Sequence, residues 1–584
     1  MAKKDVQYFE VDKFRSLAQM MEQAEQKAPD SVAYRYRENG EVKDVTFSAF
    51  NARVRSLGAF LHSLGLDGEH IACVGPSSIH WLTVYFTVLR SAGVFVPIDK
   101  DLPLKDMVNV IAESDATVLF CAGKYEDLLK NDLPDAVRCV ICFDRQEDEG
   151  NHLSFSEALR KGEAMDSAGF LNHEENINGL KMIVFTSGTT GMAKGVMLSE
   201  KNLVSSVYYG LQTSRVYDVG LSILPYHHTY EAVSDILISY HNHSTLCINE
   251  NMMTVLKNLQ AYKPSYVYVV PAVAEMFYTR LMRSFAKDGK DKDLLKLIAK
   301  SNAARKVGID IRPEVFQQVR EIFGGNLKKI VCGGAAVRPT VAKFFDDIGI
   351  DFVNGYGITE CSPLVTVNND NDIDVRTAGI KLPCIDLDIS LPNDEGVGEI
   401  CVRGPIVMMG YYKHPEMTAE VIRNGWFLTG DYGYITEDGH LIVCGRKKNV
   451  IVLSNGKNIY PEEIEGYIQN IDYVNEVVVS SDFDETGNEA SLAAEVFLSE
   501  VKTAPEVLKS IKKVCKDLPI YKQISRVIIR DSEFEKTTTN KIKRFGFGKK
   551  KAGTPDGEPA AEPVAESAAE SAAQPAPADE GAEK

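Results

Sequence analysis

The 584-residue chain has no long hydrophobic run, and a membrane-spanning helix needs about 18 consecutive apolar residues. Its longest apolar stretch, residues 79–96, is interrupted by His80, Arg90, Ser91 and Gly93 and reads as a core helix followed by a strand over 94–98. Basic residues are in deficit, 65 Lys and Arg against 82 Asp and Glu, for a net charge of −17. That balance excludes a general nucleic-acid binder. Residues 553–584 supply −7 of it. The eleven cysteines are scattered and odd in number, and the start, Met1-Ala2-Lys3-Lys4-Asp5, lacks the apolar stretch of a secretory signal. A cytoplasmic protein with reduced thiols is expected, which leaves contact with a membrane open only from its surface. Cys139 and Cys142 make a CxxC pair without a second pair at metal-site spacing; within an apolar run over 137–143 they read as core thiols rather than zinc or redox residues. There are no internal repeats.

With 44% hydrophobic and 25% charged residues, the composition is that of a globular protein, and the length calls for several units. Buried strands are expected over 71–75, 118–121, 182–185, 223–224, 266–270, 329–332 and 352–353, with helical patterns such as 50–64 between them. Strand–helix alternation implies α/β layers with largely parallel sheets. After about residue 384, strands over 385–391, 398–403 and 440–444 are joined by turns at Asn393-Asp394-Glu395-Gly396 and Glu437-Asp438-Gly439-His440, a smaller β-rich element. A compact α+β pattern follows, with strands over 478–480, 492–498 and 526–529. The expected fold class is therefore α/β. A large N-terminal domain, 1–445, combines layered α/β subdomains with a β-rich subdomain, and a small α+β domain spans 446–548. The remainder, 549–584, is an Ala/Pro/Glu-rich acidic segment without aromatics, which reads as a disordered tail.

The chemistry concentrates in five segments. The first is Thr186-Ser187-Gly188-Thr189-Thr190-Gly191, with Lys194 and Gly195 behind it and an apolar strand in front. Glycines admit close approach of backbone N–H groups to an anion, the hydroxyls add donors, and Lys194 adds charge, so the segment reads as a phosphate cradle without being a Walker A loop. Ser199 follows as a helix N-cap. The second is Asn354-Gly355-Tyr356-Gly357-Ile358-Thr359-Glu360, after a strand. Glu360 suits a hard cation such as Mg²⁺, Thr359 a phosphate oxygen, and Tyr356 the face of a base. A Gly-rich turn with a surface Glu explains the same residues when the segment is taken alone. The third, Thr429-Gly430-Asp431, reads as a turn holding a carboxylate suited to ribose hydroxyls, or as a turn Asp capping its own backbone. The fourth runs from Gly445-Arg446-Lys447-Lys448 through Ser454-Asn455-Gly456 to Tyr460-Pro461-Glu462-Glu463, where Pro461 and the acidic residues start a helix. The fifth, Lys536-Thr537-Thr538-Thr539-Asn540-Lys541, is a polar loop with a terminal cation, which composition alone makes a solvated basic loop.

Taken together, in this order and spacing, the five segments resemble the adenylate-forming superfamily of acyl-CoA synthetases, luciferases and peptide-synthetase adenylation domains, over roughly residues 15–547. The resemblance implies activation of a carboxylate by ATP to an acyl-adenylate with release of pyrophosphate, then attack by a thiol such as that of coenzyme A. It implies that Lys194 and residues 186–191 hold the β- and γ-phosphates, Thr359 the α-phosphate and Glu360 Mg²⁺. Gly333, Gly334, Ala335, Tyr356 and Gly357 would frame the adenine, and Asp431 and Arg446 would bind the ribose. Lys541 would bridge carboxylate and α-phosphate. The small domain would turn about Lys448 between half-reactions, withdrawing Lys541 and bringing Gly456 to the pantetheine path. Two residues depart from the superfamily pattern: Glu535 stands in place of a proline and Asn540 in place of a glycine.

The segment Leu224-Pro225-Tyr226-His227-His228-Thr229-Tyr230-Glu231 matches the acid-site motif, with His228 at its histidine and His227 a weaker candidate beside it. Its Tyr-Glu ending is most similar to long-chain fatty acyl-CoA synthetases, which implies fatty acid, ATP and coenzyme A as small-molecule partners. The walls of an acyl tunnel cannot be told from core; Tyr, Val and Met residues over 266–282 read as core first. Two alternatives stay open: delivery of the acyl group to an acyl carrier protein, and a nucleotide-binding regulatory protein with impaired catalysis, motivated by Glu535 and Asn540. Oligomeric state is not legible.

Overall fold

The computed structural model describes residues 6–187, 193–453, 457–483, 489–536 and 542–544. The expected disordered tail, Gly188–Gly191 of the phosphate cradle, Gly456 and Lys541 lie outside the described residues.

Two large sheets share one plan. In the eight-stranded sheet, six strands run parallel in the order Leu180–Ser187, Val94–Ile98, His70–Val74, Val118–Cys121, Cys139–Cys142 and His152–Ser154. Ala193–Ser199 and Gly410–Tyr411 extend it antiparallel. The nine-stranded sheet has six parallel strands from Asp351–Gly357 to Val32–Glu38, with antiparallel strands at both edges. The central parallel strands, such as Val94–Ile98 and Val118–Cys121, are apolar and buried on both faces, as crossover helices require. The helix Phe47–Ser63 and the strands around it agree with the expected alternation. Strand 223–224 does not. The strand is Val219–Ser222, and the chain leaves the sheet at Ile223 because the next residues run into Pro225, which has no N–H to offer a ladder. Cys139 and Cys142 are buried in their strand with free thiols.

Residues 386–446 form a five-stranded antiparallel sheet, in which Trp426–Ile435 pairs with both Gly398–Arg403 and Leu441–Arg446. The C-terminal part packs the helices Pro461–Ile468 and Ala504–Val514 on a three-stranded sheet of Val474–Phe483, Glu489–Leu498 and Ile524–Arg530. Its buried hydrophobic cluster draws on residues 459–527 alone, including Ile464, Val477, Val496 and Ile511. It meets the larger part through a small apolar cluster, in which Tyr460 packs with Val397, Tyr432 and Cys444, and through polar contacts, among them Tyr521 Oη donating to Glu395 at 3.0 Å and Arg338 to the carbonyl of Gln469 at 3.4 Å. Among the described residues, no helix is long and apolar enough to cross a membrane.

Candidate active site

Two paired strands flank the phosphate-cradle segment. Leu180–Ser187 enters and Ala193–Ser199 returns, with Thr186 opposite Lys194 and Phe185 opposite Gly195. The return strand then feeds a helix capped by Ser199, whose hydroxyl accepts from Asn202 N–H while the Asn202 side chain accepts from Ser199 N–H. Glu360 reaches the same place from another direction. It sits in a short turn, Thr359–Cys361, just past the strand Asp351–Gly357.

Tyr411 joins these two groups, and no sequence motif pointed to it. Its ring lies 5.3 Å from Lys194 Nζ, and its hydroxyl donates to Glu360 Oε1 at 2.9 Å. The Tyr411 strand is stitched to both neighbours: Met408 N–H donates to the Glu360 carbonyl, and Met409 and Tyr412 N–H donate to the carbonyls of Met197 and Gly195. Burial and the Glu360 carboxylate push the Tyr411 phenol up, so it remains a donor.

A second cluster forms around Asp431, which is 5% exposed. The residue is not in a tight turn as its local sequence suggests. It lies within the ten-residue strand Trp426–Ile435, directly opposite Arg446 on Leu441–Arg446. The pairing partners on both sides hold the segment extended, and the turn character is confined to Gly430, whose φ of +69° a side-chain-bearing residue rarely adopts. Asp431 accepts from Tyr356 Oη at 2.6 Å through Oδ2 and from Arg446 Nε at 2.9 Å through Oδ1. Arg446, Asp431 and Tyr356 are thereby one unit. Gly357 allows its strand to close on the next segment, because a Cβ there would sit 2.4 Å from the Pro363 carbonyl.

Next to this unit opens a cavity lined mostly by apolar atoms. Gly333, Gly334, Tyr356 and Gly357 line one end. Ala335, expected beside them, is exposed and does not line it. The remainder of the wall comes from Gly210, Tyr230, Ser234, Ile238, Tyr268 and Leu364, among others. Of residues 266–282, Tyr268 alone lines the cavity, while Val267, Val269 and Val273 are core. His228 is not in the lining; it caps the short helix Thr229–Glu231, its ring 4.3 Å from that of His227. His227 faces Asp99 at 3.6 Å, and burial pulls its imidazole below the ordinary histidine range despite that carboxylate.

Behind the cavity wall lies a feature absent from the sequence reading. Glu231 and Asp235, both 0% exposed, lie just before and within a π-helical segment, Ala232–Leu237. Glu231 Oε1 accepts from Ser222 Oγ at 2.5 Å, and Asp235 Oδ1 from Ser239 Oγ at 2.9 Å. Their second oxygens, Glu231 Oε2 and Asp235 Oδ2, meet no donor among the described residues; a proton held between the two carboxyls supplies one. Burial, reinforced by Asp235, pushes Glu231 well above the carboxylate range, and burial pushes Asp235 to about 7. The folded chain thus keeps protons that the unfolded chain has released. Stability is expected to fall as pH rises from the ordinary aspartate range to about 7. Asp235→Asn should flatten that slope in a series of melting temperatures against pH; an unchanged slope would refute the assignment.

The C-terminal part presents cations to the same region. Burial and the like charges of Arg446, Arg544 and Lys194 pull the Lys448 amine down, which marks a convergence of positive charge. Arg544 is held by Glu465, whose carboxylate also accepts from Val479 N–H at 2.7 Å. The ends of the segment carrying Lys541 are joined: Lys543 N–H donates to the Glu535 carbonyl at 2.8 Å, and Lys536 pairs with Ile542. Glu535 does not engage the neighbouring Lys536 side chain, which pairs with Glu476 at 2.5 Å and Glu533 at 2.9 Å. Among the described residues, no group of three or more His, Cys, Asp or Glu could cage a metal. A lone carboxylate such as Glu360 fits a cation that completes its shell from a substrate's phosphates and water, as Mg²⁺ does.

Residues 21–412 match the family described as AMP-binding enzyme. The chain is 27% identical over 578 residues to a long-chain-fatty-acid–CoA ligase of Escherichia coli O157:H7, covering 91% of this chain and 94% of that one. It is 28% identical over 505 residues to a long-chain-fatty-acid–CoA ligase of Mycobacterium bovis, with 81% of each covered. Among solved structures, a fatty acyl CoA synthetase of Mycobacterium tuberculosis superposes with a TM-score of 0.64 at 23% identity, over 91% of this chain and 97% of that one.

Proposed function

The chain belongs to the AMP-binding enzyme family, and on that premise we propose that it joins a long-chain fatty acid to coenzyme A by way of an acyl-adenylate. The observation that carries this reading is the cavity. Its lining combines the glycines beside the Tyr356–Asp431–Arg446 unit with the apolar Ile238, Tyr268 and Leu364, which favours a nucleotide lying next to an apolar acid.

In this reading Gly333, Gly334 and Tyr356 take the adenine, and Asp431 and Arg446 the ribose. Asp431 supplies acceptor oxygens for the two hydroxyls, and its ion pair with Arg446 holds the carboxylate in place. Lys194 and Thr186, with Ser187 and residues 188–191, neutralise the outer phosphates. Thr359 and Lys541 face the α-phosphate, where charge develops as the carboxylate attacks. Glu360 would hold Mg²⁺, which when bound offsets the repulsion between carboxylate and triphosphate. Positioning and charge neutralisation are the whole of what such phosphoryl-centred chemistry asks of a protein. His228 and Gly456 belong to the thiol half-reaction. The separate hydrophobic cluster of residues 459–527 supports a small domain, 446–548, that moves as a body about Lys448.

The test is pyrophosphate release with ATP and Mg²⁺ across straight-chain acids from acetate to stearate, with and without coenzyme A. Release that peaks on long acids, with thioester formed only when coenzyme A is present, is expected. Release without thioester formation would redirect the second step to an acyl carrier protein. Nucleotide binding without release on any acid would leave the impaired regulatory protein instead.

Gly210 offers a sharper check. A Cβ there would make ordinary contacts at 3.4 Å with Ile238 and Leu364, and longer branches would enter the cavity. Gly210→Leu is expected to shift the preferred acid to shorter chains. Each methylene denied burial costs about 0.8 kcal/mol, or roughly fourfold in kcat/KM. A chain-length profile identical to that of the parent would remove the alkyl group from this cavity.

A further inference from the structure

Two stretches of this acidic chain are strongly basic: residues 536–551, which carry Lys541, and a pair of helices far from it in sequence. Residues 280–306 hold nine Lys or Arg and three Asp, a local charge of +6 within a chain of −17. They span the end of the helix Pro271–Lys287 and all of the helix Asp291–Arg305. Both helices bury one face, through Phe277 and Leu281 and through Leu294 and Ile298. Arg280, Arg283 and Lys287 are exposed at three- and four-residue spacing on the first, and Lys292, Lys296 and Lys300 are exposed every four residues on the second.

Apolar side chains lie within this basic field. Leu295 is 51% exposed on the second helix, beside exposed Ala299 and Ala303, and just past the helix Val307 is 73% and Ile309 57% exposed. A merely solvated charged face gives no reason for three bare aliphatic side chains among lysines. We propose that this helical pair is a docking surface for an anionic lipid bilayer, with the lysines at the headgroups and Leu295, Val307 and Ile309 entering the interface.

Charge complementarity selects an anionic partner, and the aliphatic tips select lipid over nucleic acid. Single strands are gripped by exposed aromatic rings, and the ring in this stretch, Phe285, is packed against the core. Clusters of four to eight Lys or Arg on an amphipathic helix are the usual reader of anionic headgroups. Lysine stems add apolar contact while their amines stay in water. Because the chain outside this patch carries a net negative charge, attachment through it has to depend on both lipid charge and salt. The helix that starts at Pro271 follows the strand bearing Tyr268 and is about 25 Å long. The surface therefore tethers the molecule at a distance from the cavity and does not form its mouth.

The experiment is co-sedimentation of the full chain with phosphatidylcholine vesicles containing roughly 30% phosphatidylglycerol, and with phosphatidylcholine alone, at about 50 mM and about 500 mM NaCl, where screening differs strongly. Binding is expected only to the anionic vesicles and only at low salt. Each Lys near such a surface contributes about fivefold in affinity, so the triple variant Lys292→Glu, Lys296→Glu, Lys300→Glu should lose more than about 100-fold. Val307→Ser with Ile309→Ser should weaken binding without abolishing its salt dependence. Melting temperature and pyrophosphate release on octanoate in detergent-free buffer should match the parent in both variants, which separates loss of docking from loss of folding or of the ligase reaction. Equal binding to neutral vesicles, anionic binding untouched by the triple variant, or retention on single-stranded RNA but not on vesicles would each overturn the proposal.

Discussion

Lys541→Ala is expected to slow acyl-adenylate formation by about 10²-fold or more while leaving thioester formation from supplied acyl-adenylate near the parent rate. The scale is that of removing one electrostatic stabiliser from a transition state in which charge gathers at phosphorus. The structure supports a delivered lysine in two ways. The ends of its segment are tied at Glu535 and Lys543 and anchored through Arg544 to the buried Glu465. The same part of the chain brings Lys448 and Arg544 close enough to Arg446 and Lys194 for their charges to be felt. Asn540 precedes the lysine and is the commonest substitute for glycine in a left-handed turn, so the departure from glycine is compatible with the same loop. Rapid-quench measurement of the two half-reactions is decisive: equal loss in both would sink the idea that the lysine serves only the first.

Glu360→Ala is the second large effect, with an expected loss of about 10²–10³-fold in pyrophosphate release and a raised Mg²⁺ requirement. The carboxylate does two things. It is the candidate cation ligand, and it holds the Tyr411 hydroxyl, whose ring lies against Lys194. Tyr411→Phe separates the two roles, because it removes the hydrogen bond and keeps both the ring and the carboxylate. That variant should lose far less than Glu360→Ala, with its Mg²⁺ titration unmoved. If the Glu360 variant turns over and titrates as the parent does, the ligand role is wrong.

Motifs that close on themselves were legible in the sequence. The Ser199 cap is written in residues 199–202, and the glycines at 333, 334 and 357 are placed where side chains would collide or fill the cavity. What depends on distant partners was not. Asp431 looks like a turn residue because Gly430 precedes it; its strand exists because Gly398–Arg403 and Leu441–Arg446 pair on either side. Tyr411 lies in a two-residue strand whose meaning comes from Gly195, Met197 and Glu360. Glu231 and Asp235 sit four apart, a spacing that on a surface helix would place both in water. Only burial against Ser222 and Ser239 turns them into a proton-sharing pair. The cavity wall was hidden for the same reason, since Tyr268 belongs to an apolar strand with the same texture as its buried neighbours.

The order of strands in the nine-stranded sheet has a consequence for synthesis of the chain. Its first strand, Val32–Glu38, has Thr245–Ile248 as its parallel partner, and the Thr245 hydroxyl donates to the Val32 carbonyl across 213 residues. At roughly 5–20 residues per second on the ribosome, the early hairpin waits on the order of 10–40 s with one edge unpaired. Such a nascent chain is a natural client for a chaperone that shields strand edges. Slowing translation between residues 38 and 245 should lower the yield of native enzyme more than slowing it after residue 381, once the last strand of that sheet is made.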